Sequence, residues 1–97
     1  MFFHGHIVGY IQEKSSLTKR NGDDFITFTI PEHWHGRPDV IHRFHAIGRT
    51  ARQVADAKTS RELVTVHYSL RYIGGPDPTD DLAPRQVRLQ AKSVCWV

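Results

Sequence analysis

A tryptophan among cations is the part of this 97-residue chain whose residue types most clearly suit a chemical task. Trp34 lies between His33 and His35, with Arg37 nearby, in a stretch bounded by prolines that predicts a loop. The whole chain carries 13 Lys and Arg against 10 Asp and Glu, for a formal charge of +3 and a pI near 9.4. This excess of positive charge mildly favours a polyanionic partner.

Seven histidines raise the alternative of a metal site. Three pairs place two imidazoles close together in sequence: His4-x-His6, His33-x-His35 and His42-x-x-His45. No Cys-x-x-Cys or His-Glu-x-x-His motif accompanies them, and the carboxylates are scattered. We therefore expect no metal ligands and no cofactor, and imidazoles that stack or form hydrogen bonds.

Catalytic chemistry finds little support in the sequence. Cys95 is the only cysteine, so it forms no internal disulfide, and it lies at the C-terminal end of a predicted strand with no helix dipole to activate it. No pair of acidic residues is placed for acid–base work, and Gly74-Gly75 lacks the Gly-Lys-Ser/Thr of a phosphate-binding loop. The protein is expected not to be an enzyme.

Length and apolar patterning predict one soluble domain over residues 1–97. Apolar runs reach only four or five residues, and the first residues lack the features of a signal peptide, so we expect a cytoplasmic protein without membrane contact. The core of such a small domain is modest, which makes a partner subunit plausible.

Alternating and turn-forming residues predict five strands and one helix. Asn21-Gly22 is a strong tight-turn dipeptide, so the first two strands should form a hairpin with its turn at 19–23. In the third strand Phe44 alternates with Arg43 and His45, and in the fifth Leu89, Ala91 and Ser93 are assigned to one side. The predicted strands cover 5–12, 24–30, 40–47, 63–72 and 86–96, and the helix covers 50–58.

Five strands with a short helix between the third and fourth predict an all-β OB-fold, a Greek-key barrel that binds oligonucleotides or oligosaccharides on one face. Anticodon-binding and cold-shock domains share this outline, so the fold alone leaves function open.

Three segments then give a closer resemblance. Residues 41–49, Ile-His-Arg-Phe-His-Ala-Ile-Gly-Arg, are similar to a Trp-His-Arg stretch that ends in Phe-Gly-Lys in the bacterial single-stranded DNA-binding protein family. Residues 63–71 are similar to that family's strand ending in Leu-Arg, and residues 25–34 place Trp34 where the family has a base-stacking tryptophan. Over residues 5–94 the chain resembles a short, tail-less member, similar to primosomal replication protein N.

The departures from the family concern base stacking and recruitment. Ile41 and Ile47 stand where the family has tryptophan and phenylalanine, so two stacking platforms are missing. The chain ends at 93–97 without the family's Gly/Pro/Gln-rich linker and acidic tip, the part that recruits replication and repair enzymes. A recruiting hub is therefore not expected.

The resemblance implies binding of single-stranded DNA, or RNA, without strong sequence preference, in replication, recombination, repair or mobile-element transfer. It also implies a homodimer or homotetramer, replication proteins as further partners, and a nucleoid-associated location. Phe2, Phe3 and Ile7 form an apolar N-terminal edge through which copies could associate, or they cover one barrel end. The alternative function is an OB-fold protein-interaction module of a replication, primosome or conjugation complex with weak DNA affinity.

Binding of single-stranded DNA needs cations for the phosphates and planar groups for the bases, and the candidate site residues are chosen by these two requirements. Arg43 and Arg71 are assigned to the outer faces of the third and fourth strands, taken as neighbours, with solvated arginines as the alternative. Trp34 could instead plug the barrel end, Phe25 and His45 could contact a neighbouring subunit, and strand parity gives Tyr72 a core position. The candidates are Trp34, Arg43, Arg71, His45, Arg37, Lys19, Arg20, Phe25, Tyr72, Arg85 and Arg88.

Overall fold

The computed structural model of the chain describes residues 4–59, 61–72 and 87–97, with the backbone alone at 71, 72, 87 and 88. Strands make up most of these ranges, and their one helix has eight residues. None of the described ranges holds a helix with the length and apolarity needed to cross a bilayer. In chain order the elements are β1 (His4–Tyr10), β2 (Glu13–Lys14), β3 (Thr18–Arg20), β4 (Asp23–Glu32), β5 (Val40–Ile47), α1 (Arg49–Asp56), β6 (Leu63–Tyr72) and β7 (Val87–Trp96).

One sheet joins all these strands in the order β1-β6-β7-β5-β4-β2, and β3 also pairs with β4. Every pair is antiparallel except β5 with β7, which is parallel. Only two residues separate β1 from β2, so the two ends of the strand order belong to one bent segment of chain. This mostly β arrangement with a single short helix in the described ranges is consistent with the predicted OB-fold.

Two details of the predicted strand arrangement are wrong. The predicted first strand, which the structure forms as β1, pairs with β6 and not with β4. A different segment, β3, forms the hairpin with β4. The chain bends between Tyr10 and Glu13, so that residues 4–10 pair with β6 while residues 13–14 and 18–20 pair with β4. The third and fourth predicted strands are also not neighbours, because β7 lies between β5 and β6.

The hairpin turn itself is confirmed. Asn21 and Gly22 have φ angles of 50° and 84°, the left-handed conformation that a tight hairpin turn requires at both positions. Asparagine and glycine are the residues that adopt it at least cost, which explains why the chain reverses here.

The core lies on one face of the sheet under α1. Phe28 and Phe44 stack across β4 and β5 with ring centroids 5.3 Å apart, and Ala51 and Val54 of α1 close the core from above. In β7 the prediction for Ser93 is wrong. A bulge opposite His67 and Tyr68 shifts the alternation by one residue, so Val94 enters the core in its place.

Lys14 joins β2 to the end of α1. Its Nζ donates hydrogen bonds to the carbonyls of Ala55 and Ala57, each at 2.6 Å, and to that of Val54 at 3.3 Å. A cation suits the last carbonyls of a helix, which have no partners within the helix and carry partial negative charge. This contact fixes β2, which forms one side of the site described below.

Candidate functional site

The face of β4 and β5 that points away from the core brings several predicted site residues together. Direct partners across the two strands are Phe25 with Ile47, Thr27 with His45 and Thr29 with Arg43. Because side chains alternate along each strand, these residues share the outer face while Ile26, Phe28 and Ile30 fill the core. This register places Phe25, Arg43 and His45 on one face, as predicted, although of the three only Arg43 is exposed there and Phe25 and His45 are buried.

A cation and two rings form a stack on this face. The Arg20 guanidinium carbon lies 4.1 Å from the centroid of the Phe25 ring. On β5, the His45 ring stacks with Phe25 at a centroid distance of 5.9 Å and an interplanar angle of 22°. Phe25 is only 8% exposed as a result, although it lies outside the core. Cation–π and stacking contacts of this kind each contribute about 0.5 to 1.5 kcal/mol.

These residues line a groove of about 610 Å³, which we call the β4–β5 groove. Its floor is the outer face of β4 and β5, β2 and β3 lie along one side, and it extends to Leu89 of β7. The side chains that line its floor and sides include Glu13, Ser15, Arg20, Phe25, Thr27, Thr29, Arg43 and His45.

Positive charge in the groove is available to a ligand. Arg43 is exposed and, within the described residues, neither it nor Arg20 takes part in an ion pair. The guanidinium group stays charged at any physiological pH and matches phosphate geometry with its planar donors. Flat ring faces and unpaired guanidinium groups in one groove suit a ligand that is both anionic and planar.

Lys19 lies on the other face of the same hairpin. Its Nζ is 2.7 Å from Oδ1 of Asp24, and Nε of Arg52 lies 3.4 Å from Oδ2. The hydrogen bond from Lys19, together with the two positive charges, holds the pKa of Asp24 below its ordinary value of 3.8. The structure therefore separates two neighbouring candidates: Arg20 enters the groove and Lys19 does not.

The loop after β4 presents Trp34 to solvent. Trp34 is 51% exposed, so it does not plug the barrel end. The Arg37 N–H donates to the Trp34 carbonyl at 3.1 Å across a turn in which Gly36 has a φ of 73°. His33 bonds Asp39 at 2.8 Å and ties the ends of the loop together. Trp34 does not line the groove, and it lies nine positions after Phe25, up to roughly 30 Å along an extended chain.

The remaining candidates can be placed only in part. The backbone of Arg71 pairs with that of Arg88 on β7, and Tyr72 pairs with Val87. Because β7 separates β5 from β6, Arg71 and Arg43 do not lie on adjacent strands as predicted. Arg85 lies outside the described residues, as do the side chains of Arg71, Tyr72 and Arg88.

A second exposed face is formed by β1 and β6. His6 and His67 are opposite one another with ring centroids 5.8 Å apart, and Val8 and Tyr10 are about half exposed. Ile7 packs against the core, so its predicted place on an apolar edge is wrong, because the alternation turns it inward. Phe2 and Phe3 lie outside the described residues. No group of three or more potential metal ligands occurs among the residues that the structure describes.

Sequence reasoning missed Glu13, Ser15 and Thr29 as groove residues. Thr29 could have been found from its alternation with Phe28 and Ile30. Glu13 and Ser15 belong to a two-residue strand and its flank, where no periodic pattern exists to assign a face. Their position follows only from the pairing of β2 with β4.

Comparison with known proteins gives a likeness of fold. Crystal structures of the single-stranded DNA-binding protein from Thermus aquaticus, as a deletion mutant and as the wild type, match with TM-scores of 0.69 and 0.68 at 16% sequence identity. The match covers 97% of this chain and 49% of each of theirs, so the chain spans about half the length of those proteins. No family model and no curated protein matches the sequence.

Proposed function

We propose that this protein binds single-stranded DNA, without strong sequence preference, in the β4–β5 groove. The observation that carries the proposal is the stack of Arg20, Phe25 and His45 beside the unpaired Arg43 on one outer face. Guanidinium groups neutralise phosphates, and ring faces accept stacked bases at roughly 1 to 3 kcal/mol per base. The fold likeness to a single-stranded DNA-binding protein supports the proposal.

The stack also compensates in part for the aromatic residues that are missing at two positions of this sequence. Ile47 stands where the resembling family has phenylalanine, and its direct partner across the strands is Phe25. A ring on the neighbouring strand therefore supplies a flat surface at nearly the same point of the face. No such exchange occurs at Ile41, whose partner is Pro31. Because Phe25 and His45 are only 8% and 7% exposed, we expect a base to stack on the Arg20 guanidinium that covers the Phe25 ring, with Trp34 extending the path beyond the groove.

The proposed role is non-catalytic and needs no cofactor. The strand is held for replication, recombination, repair or mobile-element transfer, in a manner similar to primosomal replication protein N. RNA is a second possible strand, and replication proteins are further proposed partners. The proposed setting is the nucleoid-associated cytoplasm.

Self-association as a homodimer or homotetramer is part of the same proposal. The exposed side chains of Val8 and Tyr10 on β1, rather than Ile7, supply the apolar surface through which copies would associate. Light scattering at tens of micromolar tests it, and a monomer there would contradict it.

A protein-interaction role is the second candidate, favoured by exposed apolar side chains on β5. Val40, Ile41 and Ile47 are 45%, 42% and 40% exposed. Such residues suit a partner protein better than a phosphate backbone.

Titration with a dT oligomer at low and moderate salt separates the two functions. Groove binding predicts affinity that falls as salt rises, and Arg43→Ala should reduce the slope of log K against log salt by about 0.7, the single-strand value per phosphate. Arg52→Ala is the matched control, because Arg52 pairs with Asp24 away from the groove. No binding even at low salt would contradict the proposal and favour the interaction module.

A further inference from the structure

A carboxylate stands inside the proposed DNA groove. Glu13 of β2 pairs with Thr29 of β4, which in turn pairs with Arg43 of β5. All three side chains line the β4–β5 groove, so they form a row of acid, hydroxyl and guanidinium across three adjacent strands. Partners directly opposite on one face have Cβ atoms about 5 Å apart.

The position of Glu13 is fixed by its backbone. The N–H of Gln12 donates to the carbonyl of Thr29 at 2.9 Å, and that of Ser15 donates to the carbonyl of Thr27 at 2.8 Å. On the opposite face, Lys14 holds three carbonyls near the end of α1. The Glu13 side chain is therefore carried on a strand that is anchored from both sides.

Two groups in this row lack partners. Thr29 Oγ1 is buried and has no hydrogen-bond partner, and Glu13 forms no ion pair within the described residues. A buried hydroxyl without a partner is unusual in a folded protein, but this oxygen has essentially no exposed surface, so a ligand cannot reach it. The hydrogen-bonding capacity that the row offers a ligand therefore lies at the exposed Glu13 carboxylate, on the side of the groove.

The negative charge of Glu13 determines which part of a DNA strand can contact it. A carboxylate repels phosphates, so the backbone should follow Arg20 and Arg43 and leave a base edge toward Glu13. A carboxylate only accepts hydrogen bonds, and guanine presents two adjacent donors, N1–H and the N2 amine, to its two oxygens. Thymine has one donor between two acceptors, and the amines of cytosine and adenine each adjoin an acceptor nitrogen.

We infer that Glu13 gives the groove a local preference for guanine over the other bases. The inference rests on the proposed function and deepens it, since one favoured position is compatible with broad binding along the rest of the strand.

Fluorescence anisotropy with three oligomers of equal length tests the inference: dT alone, d(TTG) repeats, and d(TTI) repeats with inosine for guanosine. Inosine keeps N1–H and lacks the N2 amine, so it removes one donor without any change in the protein. The wild type should bind the guanine repeat about tenfold more tightly than dT, with the inosine repeat in between.

Two variants complete the design. Glu13→Gln should remove the preference, because an amide presents a donor as well as an acceptor. Asp56→Asn, at an exposed position of α1, removes the same charge outside the groove and should keep the preference. Equal affinity for all three oligomers would overturn the inference and leave the proposed function standing, and so would a preference that survives in Glu13→Gln. No binding to any oligomer would overturn both.

Discussion

The β4–β5 groove and the outer face of β1 and β6 belong to one sheet and arise from the same alternation, yet they carry different chemistry. The groove combines two arginines, Arg20 and Arg43, with the stacked rings of Phe25 and His45. The described side chains of the β1–β6 face include neither lysine nor arginine. They are mainly imidazole, apolar and hydroxyl groups: His4, His6, Val8, Tyr10, Thr65, His67 and Ser69.

The difference shows that exposure alone does not make a site. Tyr10 is far more exposed than Phe25, at 48% against 8%, yet a guanidinium and an imidazole pack against the Phe25 ring. Neighbouring strands supply those partners. We therefore place the proposed DNA contact in the groove, and the following substitutions test that proposal.

Loss of the central ring should have the largest effect. Phe25→Leu removes the ring against which Arg20 and His45 pack and with it the support of the stacking surface, so single-strand affinity should fall by about 2 to 3 kcal/mol, the upper part of the range for a base–aromatic stack. Tyr10→Leu on β1 is the control and should leave affinity unchanged. Anisotropy titration gives both affinities, and thermal unfolding checks that both variants fold. A larger loss from Tyr10→Leu would move the site to the β1–β6 face.

The loss of the Trp34 ring should have the second-largest effect on single-strand affinity. Trp34→Ala should weaken binding by about 1 to 2 kcal/mol and leave the salt slope unchanged, because the indole stacks and carries no charge. Trp96 is the only other tryptophan, and its Nε1 donates to Glu62. In a Trp96→Phe variant, oligonucleotide binding should quench the remaining fluorescence. Normal binding without quenching would show that Trp34 makes no stack.

Arg20 and Lys19 are neighbours in sequence but lie on opposite faces of the hairpin, so their substitutions should affect the salt dependence of binding differently. Arg20→Ala should lower the salt slope by about 0.7, since Arg20 lies in the groove. Lys19→Ala should leave the slope unchanged, since Lys19 pairs with Asp24 on the opposite face. Binding isotherms at four salt concentrations give both slopes. Equal effects would mean that the strand passes the hairpin tip outside the groove.

The Lys19 contact predicts the smallest effect, a pH dependence of stability. The pKa of Asp24 is lower in the folded protein than its ordinary 3.8. Its contribution to stability is therefore fully present above about pH 5 and is lost as the pH falls through the folded pKa. Thermal unfolding of wild type and Asp24→Asn should show a gap at pH 6 that closes toward pH 3. A gap that is constant with pH would contradict the pairing.

Local patterns predicted much of this structure. The strand at 40–47 and the strand at 63–72 have the predicted bounds, and the Asn21-Gly22 turn lies where its residue types require. The helix at Arg49–Asp56 also agrees to within a turn. These features depend on alternation and backbone preference, which act over a few residues and can be recognised in the sequence.

Features that depend on pairing between distant segments could not be predicted in this way. The position of β7 between β5 and β6, the bulge that replaces Ser93 by Val94, and the entry of Glu13 into the groove all arise from register between strands. The stack of Arg20 on Phe25 likewise needs the β3–β4 register to bring two exposed-looking residues together. Periodicity gives each residue a face but does not give it a partner.

Photo-crosslinking with an oligonucleotide that carries 5-iododeoxyuridine tests the central assignment most directly, because this base links to aromatic side chains in van der Waals contact. We expect mass spectrometry to find the crosslinks in peptides that contain Phe25, His45 or Trp34. Crosslinks confined to Tyr10, His67 or Trp96 would place the DNA on the other face of the molecule and contradict it.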